Sequence, residues 1–159
     1  MSTTDRTLGL ERLVSGGQTG ADRAALDWAI AHALPHGGWC PLGRRAEDGP
    51  IAPHYVLAET PSAGYEQRTR WNVRDSDGTL ILARSAALSG GTAFTAKVAR
   101  RLGRPCLHVS SVEGAEGIRT WLRLNSIRVL NVAGPRISTD PQAYAFALQV
   151  LKALEAMSR

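Results

Sequence analysis

The sequence predicts an α/β fold with a mostly parallel sheet of about five to six strands and helices on both faces. Three observations support this prediction. Short apolar runs alternate along the chain with segments long enough to be helical crossovers, which favours parallel strands. The run Thr79–Ala83 is continuously apolar after its first residue, as expected for a strand buried on both faces. Paired glycines stand at two points where a strand gives way to a helix, at residues 16–17 and 90–91.

The first half of the chain is predicted to begin with a strand at about 12–15 and a helix at about 21–33. That helix is rich in alanine and carries apolar residues on more than one stripe, so we expect it to be well buried. A short strand at 38–40 is stopped by Pro41, and residues 42–53 hold too many Gly and Pro residues to be other than a loop. A short extended piece is expected at 55–57, and a helix at 65–75.

The second half continues the alternation. The strand at 79–83 is followed by a loop at 85–88 and a helix from Ser89 to about 102, which Gly103 ends. A strand at 106–109, a helix at 113–124 and a strand at 128–132 come next. Asp140 is a plausible N-cap, with Pro141 at the first helical position, for an amphipathic helix at 141–157. We therefore predict one Rossmann-like ligand-binding domain over residues 12–159, after a flexible lead-in at 1–11.

Composition indicates an ordinary globular protein. Nineteen basic and fourteen acidic residues give a formal net charge of +5, which suits anionic ligands. The arginines are scattered, however, and no basic run exceeds two residues, so nucleic-acid binding is not expected. Two isolated cysteines, a polar N-terminus and no apolar stretch approaching the ~20 residues of a membrane span predict a cytoplasmic protein.

The turn Ser15–Asp22 is the strongest candidate for a binding site. A strand that breaks at glycines and continues as a helix points backbone N–H groups into one hollow, where a phosphate is favoured. If the strands at 13–15 and 79–83 are neighbours, the second glycine turn faces the same crevice. The alternative is that these turns merely connect elements.

Other signatures are missing or ambiguous. The turn does not match G-x-G-x-x-G or a P-loop, and the four histidines lack the spacing of metal ligands. Asp22 could accept hydrogen bonds from a ligand or simply suit the helix dipole. Arg68, Asn72 and Asp75 share one face of the helix at 65–75, which either meets water or faces a ligand or another subunit.

Several motifs resemble the molybdenum carrier family. They are Ser15–Asp22, Gly38–Gly49, Arg68-Thr69, Asn72–Thr79 and Gly90-Gly91-Thr92, in order within residues 12–135. That family is similar to the Rossmann-like molybdenum cofactor carrier proteins and, more distantly, to the lysine-decarboxylase-like phosphoribohydrolases. The resemblance implies a crevice lined by both glycine turns, with arginines and Asn72 as polar contacts. The remaining residues of the two glycine turns and the two aspartates Asp22 and Asp75 complete the expected set. The expected binding residues are Gly16, Gly17, Gln18, Thr19, Gly20, Asp22, Arg44, Arg45, Arg68, Asn72, Asp75, Ser89, Gly90, Gly91 and Thr92.

The resemblance implies a carrier that binds molybdenum cofactor (molybdopterin) or another phosphorylated small molecule, with no metal held by the protein itself. It also implies a homo-oligomer, and molybdoenzymes are the conceivable acceptors. The phosphoribohydrolase relatives have a catalytic glutamate after their glycine motif, but here Gly90-Gly91-Thr92 is followed by Ala93–Lys97. The alternatives are a nucleotide hydrolase in which Glu47, Asp48 or Asp75 replaces that glutamate, and a nucleotide sensor.

Overall fold

The computed structural model describes residues 8–156 of the 159-residue chain. In the first half the elements are β1 (Arg12–Val14), α1 (Ala21–Ala31), β2 (His36–Gly37), β3 (Trp39–Cys40), β4 (Arg45–Ala46), β5 (Gly49–Pro50), β6 (Ala58–Glu59) and α2 (Tyr65–Arg74). In the second half they are β7 (Gly78–Leu82), α3 (Gly90–Arg101), β8 (Cys106–Val109), a 3-10 helix (Val112–Gly117), α4 (Ile118–Leu124), β9 (Val129–Ala133) and α5 (Ala143–Ala156).

Five strands form one parallel sheet in the order β2-β1-β9-β7-β8. Helices α1 and α5 pack against each other, and α2 packs against α3. Leu80 and Leu82 of β7 belong to the main core with α1 and α5, whereas Ile81 lines a small pocket together with Ala96 of α3. Since neighbouring residues of a strand point to opposite faces, the two helix pairs cover opposite faces of the sheet. The predicted Rossmann-like α/β domain is thus confirmed.

One expectation about strand order was wrong. The strands at 13–15 and 79–83 are not neighbours, because β9 lies between them and pairs with both. Asn131 of β9 is in register with Val14 on one side and with Thr79 on the other. An apolar strand near the end of the chain gives no local sign of whether it joins an edge or the centre of a sheet.

Several boundaries also differ from the prediction. The strand expected at 38–40 corresponds to β3, which pairs with β6 outside the main sheet, whereas β2 at 36–37 takes the edge of the main sheet. The loop expected at 42–53 contains the short antiparallel pair of β4 and β5. The extended piece expected at 55–57 is replaced by β6, which pairs with β3 and sets Ala58 opposite Trp39. The segment expected to be one helix at 113–124 begins as a 3-10 helix, and Gly114 and Gly117 explain the poor α-helical geometry there. The last helix begins at Ala143, two residues after Pro141.

The buried alanines of α1 bring this helix close to the sheet and to α5. Ala24, Ala25 and Ala29 are fully buried beside larger core residues such as Leu26 and Trp28. Of the predicted lead-in, residues 1–7 lie outside the described residues, while the side chain of Leu10 is buried in the main core. Within residues 8–156, no helix has the length and apolar character that crossing a membrane requires.

Candidate functional site

A crevice of about 680 Å³ opens at the carboxyl ends of β1, β9 and β7. Its lining comes from the turn after β1, the loop after β7 with the start of α3, the segment after β9, and one face of α2. Nine of the predicted binding residues line it: Gly16, Gln18, Asp22, Arg68, Asn72, Ser89, Gly90, Gly91 and Thr92. The two glycine turns therefore meet in one crevice, although β9 separates their strands.

The N-terminus of α3 forms an open cradle at one end of the crevice. Residues 90–93 are uncharged, and within the described chain the Ser89 side chain makes no capping hydrogen bond. Gly90 has φ +53°, and outside its chain neighbours and the nearby backbone of α3, no described heavy atom lies within 4 Å of where a Cβ of Gly91 would stand. The first-turn N–H groups of a helix lack intrahelical acceptors and carry the positive end of its dipole. This end of the crevice is therefore suited to an anion.

Thr92 adds a side-chain donor to the cradle. The residue is 7% exposed and lines the crevice, and its hydroxyl has no hydrogen-bond partner among residues 8–156. A buried hydroxyl normally finds a partner, so one left open toward a cavity is free to bind a ligand oxygen. By contrast, the Thr95 hydroxyl one turn later donates to the carbonyl of Gly91 at 2.9 Å.

The turn after β1 is less open than the sequence predicts. The Gln18 N–H donates to Asp22 at 3.1 Å, and the Thr19 N–H donates to the Gln18 side chain at 3.1 Å. The Ala21 N–H donates to the carbonyl of Pro135 at 3.3 Å. Since three N–H groups already have acceptors, this turn is a weaker phosphate cradle than the start of α3.

Gly17, Thr19 and Gly20 lie outside the crevice lining and shape the turn itself. Gly17 and Gly20 have φ of +78° and +86°, which favour glycine. A Cβ on Gly17 would stand 2.7 Å from Leu57 and 2.8 Å from Ile51. These two glycines are therefore explained by backbone geometry and close packing.

Asp22 and Arg68 form a mostly buried ion pair on the crevice wall. Arg68 Nη1 lies 3.2 Å from Asp22 Oδ2, and the two side chains are 13% and 7% exposed. Burial raises the pKa of Asp22, while the charge of Arg68 and the Gln18 N–H act in the opposite direction. The Arg68 guanidinium packs against Gly16, where any Cβ would collide with it. The absence of a side chain at Gly16 thus leaves room for the Arg68 guanidinium.

Glu47 ties the turn to two other segments. It accepts hydrogen bonds from the Thr19 hydroxyl and, at 3.2 Å, from the Ser138 N–H, while its own N–H donates to Gln18. Burial alone would raise the pKa of Glu47, but the hydrogen bonds from Ser138 and Thr19 and the charge of Arg136 outweigh it and lower the pKa. Thr19 and Glu47 therefore act as structural links.

The polar face of α2 contacts the protein's own chain, an arrangement that the sequence analysis did not consider. Asn72 accepts the N–H of Trp39 at 2.7 Å and donates to its carbonyl at 3.0 Å. Asp75 accepts from the Trp39 indole at 2.8 Å and pairs with Arg74, whose hydrogen bonds lower the pKa of Asp75. Asp75 lies outside the crevice lining.

Two predicted arginines are also outside the lining. The Arg44 guanidinium donates to the carbonyls of Ile51, Ala52, Tyr55 and Leu57, which fixes the loop between β5 and β6. Arg45 donates to the carbonyl of Ala63 at 3.0 Å and lies over the Tyr65 ring. The motif 38–49 therefore supports the walls of the crevice without lining it.

Several polar residues in β9 and after β7 and β9 line the crevice but were not predicted from the sequence. Arg84 and Asp140 line the crevice and form a pair with two hydrogen bonds of 2.8 and 2.9 Å, and those bonds lower the pKa of Asp140. Asn131 and Arg136 also line it. The signal that could have found them is Ala133-Gly134-Pro135, a turn directly after a buried strand.

The acids considered for hydrolysis are not in the crevice. Glu47, Asp48 and Asp75 lie outside its lining, and Asp48 forms a two-pronged pair with Arg23. The lining carboxylates are Asp22 and Asp140, each paired with an arginine. In the part of the chain that the structure describes, no group of three His, Cys, Asp or Glu residues could hold a metal ion.

Comparison with known proteins identifies the family. The model of the circularly permutated YpsA SLOG family matches residues 13–155. The chain belongs to this family. A crystal structure from Syntrophus aciditrophicus SB, named "Putative molybdenum carrier protein", is 45% identical over 91% of this chain and 94% of that one, with a TM-score of 0.88. The resemblance to the molybdenum carrier family is confirmed. No curated protein matches the chain.

The family description agrees with the observed topology. If the strands are counted from β9, through β1 and β2 and then β7 and β8, the sheet has the order 3-2-1-4-5 of a doubly wound fold. In this permuted YpsA SLOG chain, the strand that would come first therefore comes last. That permutation explains why the segment after β9 forms the middle of the crevice.

Proposed function

We propose that this protein binds and carries a phosphorylated small molecule, and that molybdenum cofactor (molybdopterin) is its ligand. The observation that carries the proposal is the open cradle at the start of α3. Its free N–H groups, the unpartnered Thr92 hydroxyl and the space beside Gly91 suit a phosphate group.

The identity of the cargo rests on a different kind of support. The 45% identical neighbour is named as a molybdenum carrier, and the crevice of about 680 Å³ lies within the usual range of small-molecule sites, roughly 300–1,000 Å³. A carrier needs binding without turnover. The pairing of both lining carboxylates with arginines favours such a role over the hydrolase alternative.

The proposal places the protein in the cytoplasm, with molybdoenzymes as acceptors of the cargo. A homo-oligomer remains part of it, although the polar face of α2 is used within the chain. A nucleotide sensor would use the same cradle, so the ligand panel below includes nucleotides.

Gly91→Asp tests the cradle. The new carboxylate would lie in the first turn of α3, where two like charges ~4 Å apart repel by roughly 4 kcal/mol at an effective dielectric constant of ~20. We expect wild-type protein to be stabilised by molybdopterin by about 2.7 kcal/mol at a hundred times its dissociation constant. Gly91→Asp should lose this stabilisation while the free chain keeps its melting temperature. Thermal unfolding with molybdopterin, AMP and free molybdate measures both effects.

Gly117→Asp is the matched control. Gly117 is also an open position at the start of a helix, α4, and lies outside the crevice lining. This variant should respond to ligand like the wild type. Equal stabilisation of Gly91→Asp and wild type would overturn the cradle assignment, and a response to AMP alone would replace the carrier with a nucleotide-binding protein.

A further inference from the structure

The end of the crevice away from α3 contains two arginines and an aromatic ring. Tyr65, Arg68 and Arg136 all line the crevice, and the Cζ atoms of Arg68 and Arg136 lie 5.3 and 6.0 Å from the centre of the Tyr65 ring. Tyr65 is on α2 and Arg136 follows β9, so the two walls of the crevice meet at this ring. Guanidinium groups beside an aromatic ring combine cation–π attraction with donors for an oxyanion.

Arg136 is the cation of this group with the greatest freedom. Its nearest carboxylate is Glu47, with 3.8 Å between nitrogen and oxygen, and its side chain is 45% exposed. Within residues 8–156 its guanidinium donates no hydrogen bond. Arg68 differs, because it already pairs with Asp22 and donates to the Tyr65 carbonyl, and Arg84 is held by Asp140.

The two ends of the crevice lie toward different sides of the central strand. The cradle belongs to the helix that follows β7. Arg68 contacts Gly16 and Asp22 at the turn that follows β1, and Arg136, which follows β9, lies against the same Tyr65 ring as Arg68. Strand β9 separates β1 from β7, and adjacent strands are ~4.8 Å apart. Because β1 and β7 are two strand spacings apart, we infer that the two ends are separate subsites for anions.

We propose that the ligand carries two anionic groups, a phosphate at the α3 cradle and a second oxyanion at the far end, and that Arg136 selects for the second. The inference rests on the proposed function for the first group. It assigns Arg136 as a specificity-determining residue for a ligand with anions at both ends.

A titration with inorganic phosphate tests this without knowledge of the ligand. In ¹⁵N-labelled protein, the Gly91 backbone N–H reports on the cradle, and the Nε–H groups of Arg68 and Arg136 report on the far end. We expect two saturable sites in the wild type. Arg136→Ala should weaken the far site at least about tenfold, the usual effect of losing a hydrogen bond to a charged group, and leave the Gly91 response unchanged.

Arg45→Ala is the matched control, because Arg45 contacts the same Tyr65 ring at 4.8 Å but lies outside the crevice lining. It should keep both sites. Saturation at Gly91 alone in the wild type, or a far site unaffected by Arg136→Ala, would overturn the two-anion inference and leave the proposed function standing. A Gly91 signal that phosphate does not shift would instead contradict the proposed function.

Discussion

At the scale of single residues, the crevice depends on the balance between Asp22 and Arg68. A buried carboxylate beside an anion site is unfavourable unless a cation compensates it, and Arg68 supplies that cation at 3.2 Å. The sequence did not decide between two roles for Asp22, because an aspartate in the first turn of a helix is suited both to helix stabilisation and to ligand binding. Only the position of Arg68, forty-six residues later, shows that Asp22 has a partner within the chain.

Arg68→Ala should therefore destabilise the protein in a pH-dependent way. Removing one partner of a buried pair costs about 3–5 kcal/mol at neutral pH. Without Arg68, the pKa of Asp22 rises further above that of an unfolded aspartate, about 3.9. The folded state then binds the proton more tightly than the unfolded chain, so stability is lost as pH rises through the folded-state pKa. Urea unfolding should show a smaller loss near about pH 4 than near about pH 7.

Two further variants make this measurement specific to the pair. The double variant Asp22→Asn/Arg68→Ala has no titrating carboxyl at position 22. Its loss of stability relative to wild type should therefore depend on pH much less than the loss in Arg68→Ala. Among the described residues, Arg128→Ala breaks only an exposed pair with Glu11 and should change stability by less than about 1 kcal/mol. An equal loss for Arg68→Ala at both pH values would show that the raised pKa of Asp22 does not contribute.

At the scale of elements, the two glycine turns look alike in sequence but differ in hydrogen bonding and openness. In α1 the first turn contains Asp22, which accepts a turn N–H, so an internal carboxylate already occupies part of the anion site. In α3 the first turn is uncharged and open. Sequence reasoning found both turns. It could not rank them, because the ranking depends on which N–H groups find acceptors in the folded chain.

Helix α2 and strand β3 are joined through one side chain, Asn72. Its amide makes both hydrogen bonds with the Trp39 backbone, as a neighbouring strand would. Asn72→Ala leaves two main-chain groups without partners and should reduce the free energy of unfolding by about 2–3 kcal/mol. Denaturant unfolding checks this value.

Asn125→Ala provides the comparison, since the exposed Asn125 side chain makes a single hydrogen bond to Trp121. Its effect should stay within about 0.5 kcal/mol, as for most surface substitutions. Similar stability losses for the two variants would contradict the structural role of Asn72.

At the scale of the whole molecule, the position of β9 organises the site. The helices α1 to α5 and the strands β1, β7, β8 and β9 were predictable from apolar runs and glycine or proline stops, and the crevice at the carboxyl ends followed from the α/β class. The strand order was not predictable from a single sequence. β9 pairs with both β1 and β7, which are far from it in the sequence, so no local pattern indicates these pairings. They bring Asn131, Arg136 and Asp140 into the crevice.

The most direct test of the central claim is a crystal structure of the protein grown with molybdopterin or AMP, whichever stabilises it more. The account predicts phosphate oxygens within ~3.2 Å of the backbone nitrogens of Gly91 and Thr92, with the remainder of the ligand extending over β9 toward Arg136. A phosphate bound instead at the Gly16–Gly20 turn, or a ligand outside the crevice, would contradict it.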